Sequence, residues 1–132
     1  MKNDLNIPKV TGVEVAAFKQ PEDDALWDMY LINRNVFAIN NILISSKGYG
    51  FSNGKEQKTS TLRHLIEVLN ARSLAKIEPI QKDVFHLTNE YWVSYYYQDE
   101  IYDKKYIFLP ESIQEKYISP ITGFDIEGVL HR

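Results

Sequence analysis

The stretch KGYGFSNGKE, residues 47–56, sets three glycines beside two lysines and two aromatic rings, which is the raw material of an anion-binding loop. A phosphate loop needs Gly, four residues, then Gly-Lys-Ser/Thr, so that backbone N–H groups curl round the phosphate while the hydroxyl meets magnesium. Here Gly54-Lys55 is followed by Glu56, and Tyr49 stands where the first glycine belongs. A carboxylate beside the anion repels it, and no convincing helix follows whose dipole would help. The residues favour a loop between two strands, with Gly48, Gly50 and Gly54 at left-handed positions and Ser52-Asn53-Gly54 as its turn. Tyr49, Phe51 and Lys55 then stand free to touch a partner.

Other reactive groups are sparse. Histidine occurs only at 64, 86 and 131, without the spacing of a zinc motif, and cysteine is absent, which removes disulfides, thiolate nucleophiles and Cys-type metal sites together. No Gly-x-Ser-x-Gly elbow marks a serine nucleophile. The carboxylate pairs Asp23-Asp24 and Asp99-Glu100 fall in predicted turns, where solvation denies them the burial that raises a general acid's pKa. The expectation is a protein that is not an enzyme and has no cofactor or metal.

The aromatic segment NEYWVSYYYQDEIYDKKYIFLP, residues 89–110, is the remaining candidate. Tyr91, Val93, Tyr95 and Tyr97 share one face of a strand, and Trp92, Ser94 and Tyr96 the other. After a short polar turn KKYIFLP returns, with Tyr106 and Phe108 on one side and Ile107 on the other, placed across from Trp92 and Tyr96. One face is strongly apolar and one mixed, as antiparallel sheets have. Large rigid rings lose little entropy on binding, so an exposed Trp92/Tyr96/Ile107 patch reads as a contact surface unless the C-terminal segment buries it. Acidic Asp83, Glu90, Asp99, Glu100 and Asp103 near these rings disfavour stacked nucleic acid there.

These residues must be positioned by strands. Aromatics make up 13% of the chain, with 9 Tyr, and β-branched residues recur in short runs between turn residues. VEVAAFKQ (13–20) is a first strand. LWDMYLI (26–32) follows, with Trp27, Met29 and Leu31 toward the core. In VFAINNILISS two faces compete: Phe37, Ile39 and Leu43 against Val36, Ala38, Ile42 and Ile44, so Asn40-Asn41 is expected to form a bulge or bend. TLRHLIEVLNARSLAKIEPI (61–80) is ambiguous. Leu62, Leu65, Ile66 and Leu69 recur at helical spacing, whereas SLAKIEPI alternates as a strand with Leu74, Lys76 and Glu78 on one face, which would make Asn70-Ala71-Arg72 a corner between two strands.

The chain of 132 residues is one domain by size, with a formal net charge of -3 and therefore no global basic field to attract nucleic acid or anionic lipid. Lys47, Lys55, Lys58 and Arg63 form a local basic cluster. Neither a signal-type apolar run nor a membrane span is visible, so a cytoplasmic location away from membranes is expected.

NEYWVSYYYQDEIYDKKYIF and TSTLRHLIEVLNARSLAKIEPI, preceded by the glycine stretch and a strand ending in ISS, resemble a small family of uncharacterised bacterial proteins of similar length. Some of its members are labelled phenylalanyl-tRNA synthetase alpha chain. The resemblance covers most of residues 7–110. Relatives have prolines at the corner matching Asn70-Ala71-Arg72, which implies two strands there, although this chain lacks that proline. A synthetase core needs a far longer chain, and no arginine-bearing motif for ATP is present, so the resemblance brings no functional residue with it.

The expected fold is all-β, an antiparallel two-sheet sandwich of immunoglobulin or fibronectin type over residues 1–110, with 111–132 an extension packing on the domain or on a partner. An α+β domain with a helix near 61–72 is the alternative. The expected function is non-catalytic binding, with another protein or a second copy as partner. The alternative is an RNA-binding accessory role for the basic 47–63 segment, with nucleic acid disfavoured overall.

Overall fold

A computed structural model of the protein describes residues 8–131. Ten strands follow in order: β1 (Val13–Lys19), β2 (Leu26–Asn33), β3 (Ile39–Ser52), β4 (Lys55–Lys58), β5 (Leu62–Leu69), β6 (Ser73–Gln81), β7 (Thr88–Tyr97), β8 (Glu100–Phe108), β9 (Ser119–Pro120) and β10 (Glu127–Leu130). Two single 3₁₀ turns, Lys82–Val84 and Glu115–Tyr117, are the only helical elements among the described residues. The first sheet runs β6-β2-β1-β10-β9; the second runs β4-β3-β7-β8, with β5 also on the β4 side of β3. All pairings are antiparallel, and the two sheets pack face to face as a sandwich.

Alternation places the core. Trp27, Met29 and Leu31 of β2 meet Tyr91, Val93 and Tyr95 of β7 between the sheets, in one cluster with Val13 and Val15 of β1 and Tyr106 and Phe108 of β8. The Tyr106 hydroxyl donates to the Val13 carbonyl at 2.5 Å, tying the second sheet to the first. Burial pushes that hydroxyl's pKa well up, and raises Tyr95 to about 12 for the same reason.

Two bulges decide which side chains turn inward. At Asn40-Asn41 the β3 register shifts against β7, Asn41 takes φ 48°, and Ile39, Ile42 and Ile44 all become buried on one side. The extra residue resolves the competing faces of the sequence. In β6 the pairing with β2 jumps from Tyr30–Lys76 to Met29–Glu78, leaving Ile77 without a Cα partner. The shift separates Glu78 from Leu74 and Lys76, whose face it was expected to share, and turns it into the interior.

The segment 61–72 is not helical. β5 pairs with β3 from Leu69 opposite Ile39 to Leu62 opposite Ser46, and Arg72 at φ 51° turns the chain into β6, so the strand corner replaces the helix of the α+β alternative. The helical spacing left the segment open because β5 is half-buried at most: Leu62, Leu65 and Val68 are exposed and only Leu69 is buried.

The glycine stretch differs from a loop as well. Residues 47–52 continue β3, and Asn53-Gly54, with φ 54° and 77°, forms a two-residue hairpin turn to β4. Gly48 is not left-handed. A Cβ there would stand 3.0 Å from Asn89 Oδ1 and 3.2 Å from Thr59 Cγ2, so close approach explains the glycine.

The C-terminal segment joins the first sheet. β10 pairs with β1 at Ala16–Leu130 and Ala17–Val129 and carries β9 beside it. Ile121 packs with Ala16 and Ile32, flanked by Phe18, Leu74, Phe124, Ile126 and Leu130, in a second apolar cluster apart from the main core.

Candidate functional site

The second sheet's outward face collects apolar side chains in register. Arg63, Ser45, Trp92 and Lys105 form one row across β5, β3, β7 and β8; Leu65, Leu43, Ser94 and Asp103 form the next; Val68, Asn40, Tyr96 and Ile101 form a third. Leu43, Leu65, Val68, Trp92, Tyr96 and Ile101 are each between 42% and 65% exposed. Large apolar side chains exposed side by side in this number are what soluble monomers ordinarily keep few, and such patches mark contact surfaces.

Trp92 is held in place on this face. Its indole N–H donates to the Asp103 carboxylate, and the Lys105 ammonium lies 4.5 Å from its ring centroid. A ring fixed before binding loses less freedom on contact.

Of the residues singled out in the sequence, Trp92 and Tyr96 stand on this face as alternation requires. Ile107 shares the face but lies opposite Glu90; Lys105 is opposite Trp92 and Ile101 opposite Tyr96. The reason is the tight turn Gln98-Asp99, both left-handed with φ 51° and 65°, which starts the return strand at Glu100. Tyr49, Phe51 and Lys55 form a separate group on the β3–β4 hairpin. The Tyr49 hydroxyl donates to Glu90 at 3.2 Å, and burial, with the Glu90 charge second, raises its pKa. Phe51 is 74% exposed and pairs with Glu56, while Lys55 pairs with Ser52. Leu43, Leu65, Val68 and Ile101 were not singled out. Val68 and Leu65 become legible as outward only once β5 is read as a strand.

A second group of side chains was also missed. Buried Glu78 accepts hydrogen bonds from the Ser46 hydroxyl at 2.9 Å and the Tyr91 hydroxyl at 2.8 Å, and its Oε1 lies 2.7 Å from His64 Nε2. Desolvation and the Glu78 charge hold the Tyr91 pKa well above its ordinary value. A cavity of about 280 Å³ opens beside the group, lined in part by Ser46, Leu62 and Ile80. The Ser46 hydroxyl donates its hydrogen bond to the carboxylate and not to the imidazole, so the serine–histidine contact of an activated nucleophile is not formed. The cluster satisfies a carboxylate that the β6 bulge has turned inward.

The other histidines have separate neighbours: His86 Nε2 lies 2.9 Å from Gln57 Oε1, and His131 packs edge-on to Tyr106 and Phe108. No three His, Asp or Glu side chains among the described residues gather as a metal site, and no described helix is long and apolar enough to cross a membrane. No protein-family model, curated protein or solved structure matches the chain.

Proposed function

We propose that the protein is a non-catalytic binding module whose ligand is a protein surface, on another protein or on a second copy, and whose contact face is the outward side of β5, β3, β7 and β8. The observation that carries this reading is the register that gathers Leu43, Leu65, Val68, Trp92, Tyr96 and Ile101, all exposed, around a pinned Trp92. Central aromatic anchors ringed by aliphatic and polar side chains are the usual make-up of a protein contact.

RNA binding by the basic segment finds less support. Lys47 sits opposite Glu90 and 5.8 Å from the Tyr49 ring, Tyr49 itself bonds Glu90, and Phe51 faces Glu56, so the rings are interleaved with carboxylates.

The test is capture by tagged parent and by Leu65→Asp, each with and without nuclease. A defined protein held by the parent through nuclease treatment, and lost by a folded Leu65→Asp, is the expected result. Equal retention by both proteins contradicts the face, and release by nuclease points to nucleic acid held by the basic segment.

A further inference from the structure

Beyond the face, the edge of the same sheet carries information of its own. β8, nine residues long, pairs with β7 alone, and among the described residues no backbone group of 100–108 bonds to backbone outside that ladder. Free edges of this length invite another strand, and charged side chains are the ordinary means of blunting them. Asp103, Lys104 and Lys105 fit that bland role, but their order does more.

Two copies of an edge strand that pair antiparallel about a two-fold axis set residues of the same face opposite each other. Ile101, Asp103, Lys105 and Ile107 occupy the outward face, opposite Tyr96, Ser94, Trp92 and Glu90 in β7. Centred on Lys104, the pairing places Asp103 against Lys105 of the second copy, Lys105 against its Asp103, and Ile101 against Ile107 at both ends. A centre at 103 sets carboxylate against carboxylate, and a centre at 105 sets ammonium against ammonium. Opposite charges across strands stabilise and like charges destabilise, so of these three centres the charge order favours 104. Its one unfavourable pair is Lys104 against Lys104, whose ammonium leans over the Tyr106 ring at 4.9 Å. At the far end the His131 ring packs edge-on against the inward-facing Tyr106 and Phe108.

We propose that β8 is a self-recognition edge: two copies of this chain pair antiparallel through β8, centred on Lys104, and join their second sheets into one continuous sheet. The two apolar outward faces then become neighbours on a single surface. The edge borders the face and shares Ile101, Asp103 and Lys105 with it, so Leu65, across the sheet on β5, tells the two apart.

The experiment is sedimentation of the full chain from low to high micromolar concentration at low ionic strength, where exposed charge pairs act most strongly. Symmetry makes each single reversal act twice. Asp103→Lys and Lys105→Asp are each expected to weaken the parent dimer by about tenfold or more. Mixed together, the two variants restore both attractive pairs and form a dimer with each other. Both positions are exposed, and circular dichroism checks that each variant keeps its sheet content. A dimer lost in Leu65→Asp but kept by both reversals belongs to the face and overturns the proposal. A parent that stays monomeric throughout overturns the proposal, leaving the charges as edge protection; so does a dimer that is indifferent to the reversals, or single variants that fail to recover on mixing.

Discussion

The two sheets share one core but end differently on their outer sides. Outside the first sheet, Ala16 and Ile32 are covered by the chain's own residues 121–126, with Ile121 only 2% exposed among Phe18, Leu74 and Phe124. Outside the second sheet, Leu43, Leu65, Val68, Trp92, Tyr96 and Ile101 are left open. Both faces are apolar, yet the chain spends its C-terminal segment on only one. A sandwich needs apolar residues on the inner side of each sheet, so apolar residues on an outer side imply a cover, and here one cover is intramolecular. The contrast supports the proposal that the second sheet takes an external one.

The largest expected effect separates the two faces directly. Ile121→Ala removes a buried side chain from the covered face and should cost about 2–4 kcal/mol in urea unfolding, whereas Leu65→Ala on the open face should stay within about 0.5 kcal/mol of the parent. Equal losses would mean that the open face is buried in solution, and no loss at Ile121 would mean that the cover is loose.

A smaller effect follows from His131, where the C-terminal segment reaches the second sheet against Tyr106 and Phe108. Desolvation, then the Lys104 charge, lowers its pKa below the ordinary 6.5, opposed by the bond to the Ile107 backbone. The unfolded chain therefore binds the proton more readily than the folded one. Stability from this group is complete above pH 6.5 and is lost as pH falls through the window below it toward the lowered value. Urea midpoints should decline over that window in the parent and less steeply in His131→Phe. Parallel slopes would show that the ring's environment in solution is no drier than water.

How much of this was readable in the sequence depends on the element. The alternation of β7 and β2 was plain, because every second residue is apolar and both strands lie centrally in their sheets. The bulge at Asn40-Asn41 was also legible, since two apolar sets could be reconciled only by one extra residue. Ile107 was set against the wrong neighbours because the position of a two-residue turn fixes register, and Gln98-Asp99 is not the Asn-Gly or Asp-Gly pair that announces one. Glu78 was assigned to the wrong face because the bulge at Ile77 has no marker such as glycine. β5 stayed open between strand and helix because an edge strand with an open apolar face has no polar alternation to display. The cover over the first sheet is a long-range contact of irregular residues, which local periodicity does not report.

The most direct measurement is hydroxyl-radical footprinting of the full chain at high dilution, read by mass spectrometry at individual side chains. Strong labelling is expected at Leu43, Leu65, Trp92 and Tyr96, and protection at Ile121. Protection of Leu65 and Trp92 in the dilute monomer would mean that the chain covers this face itself, and would contradict its role as a surface kept open for a partner.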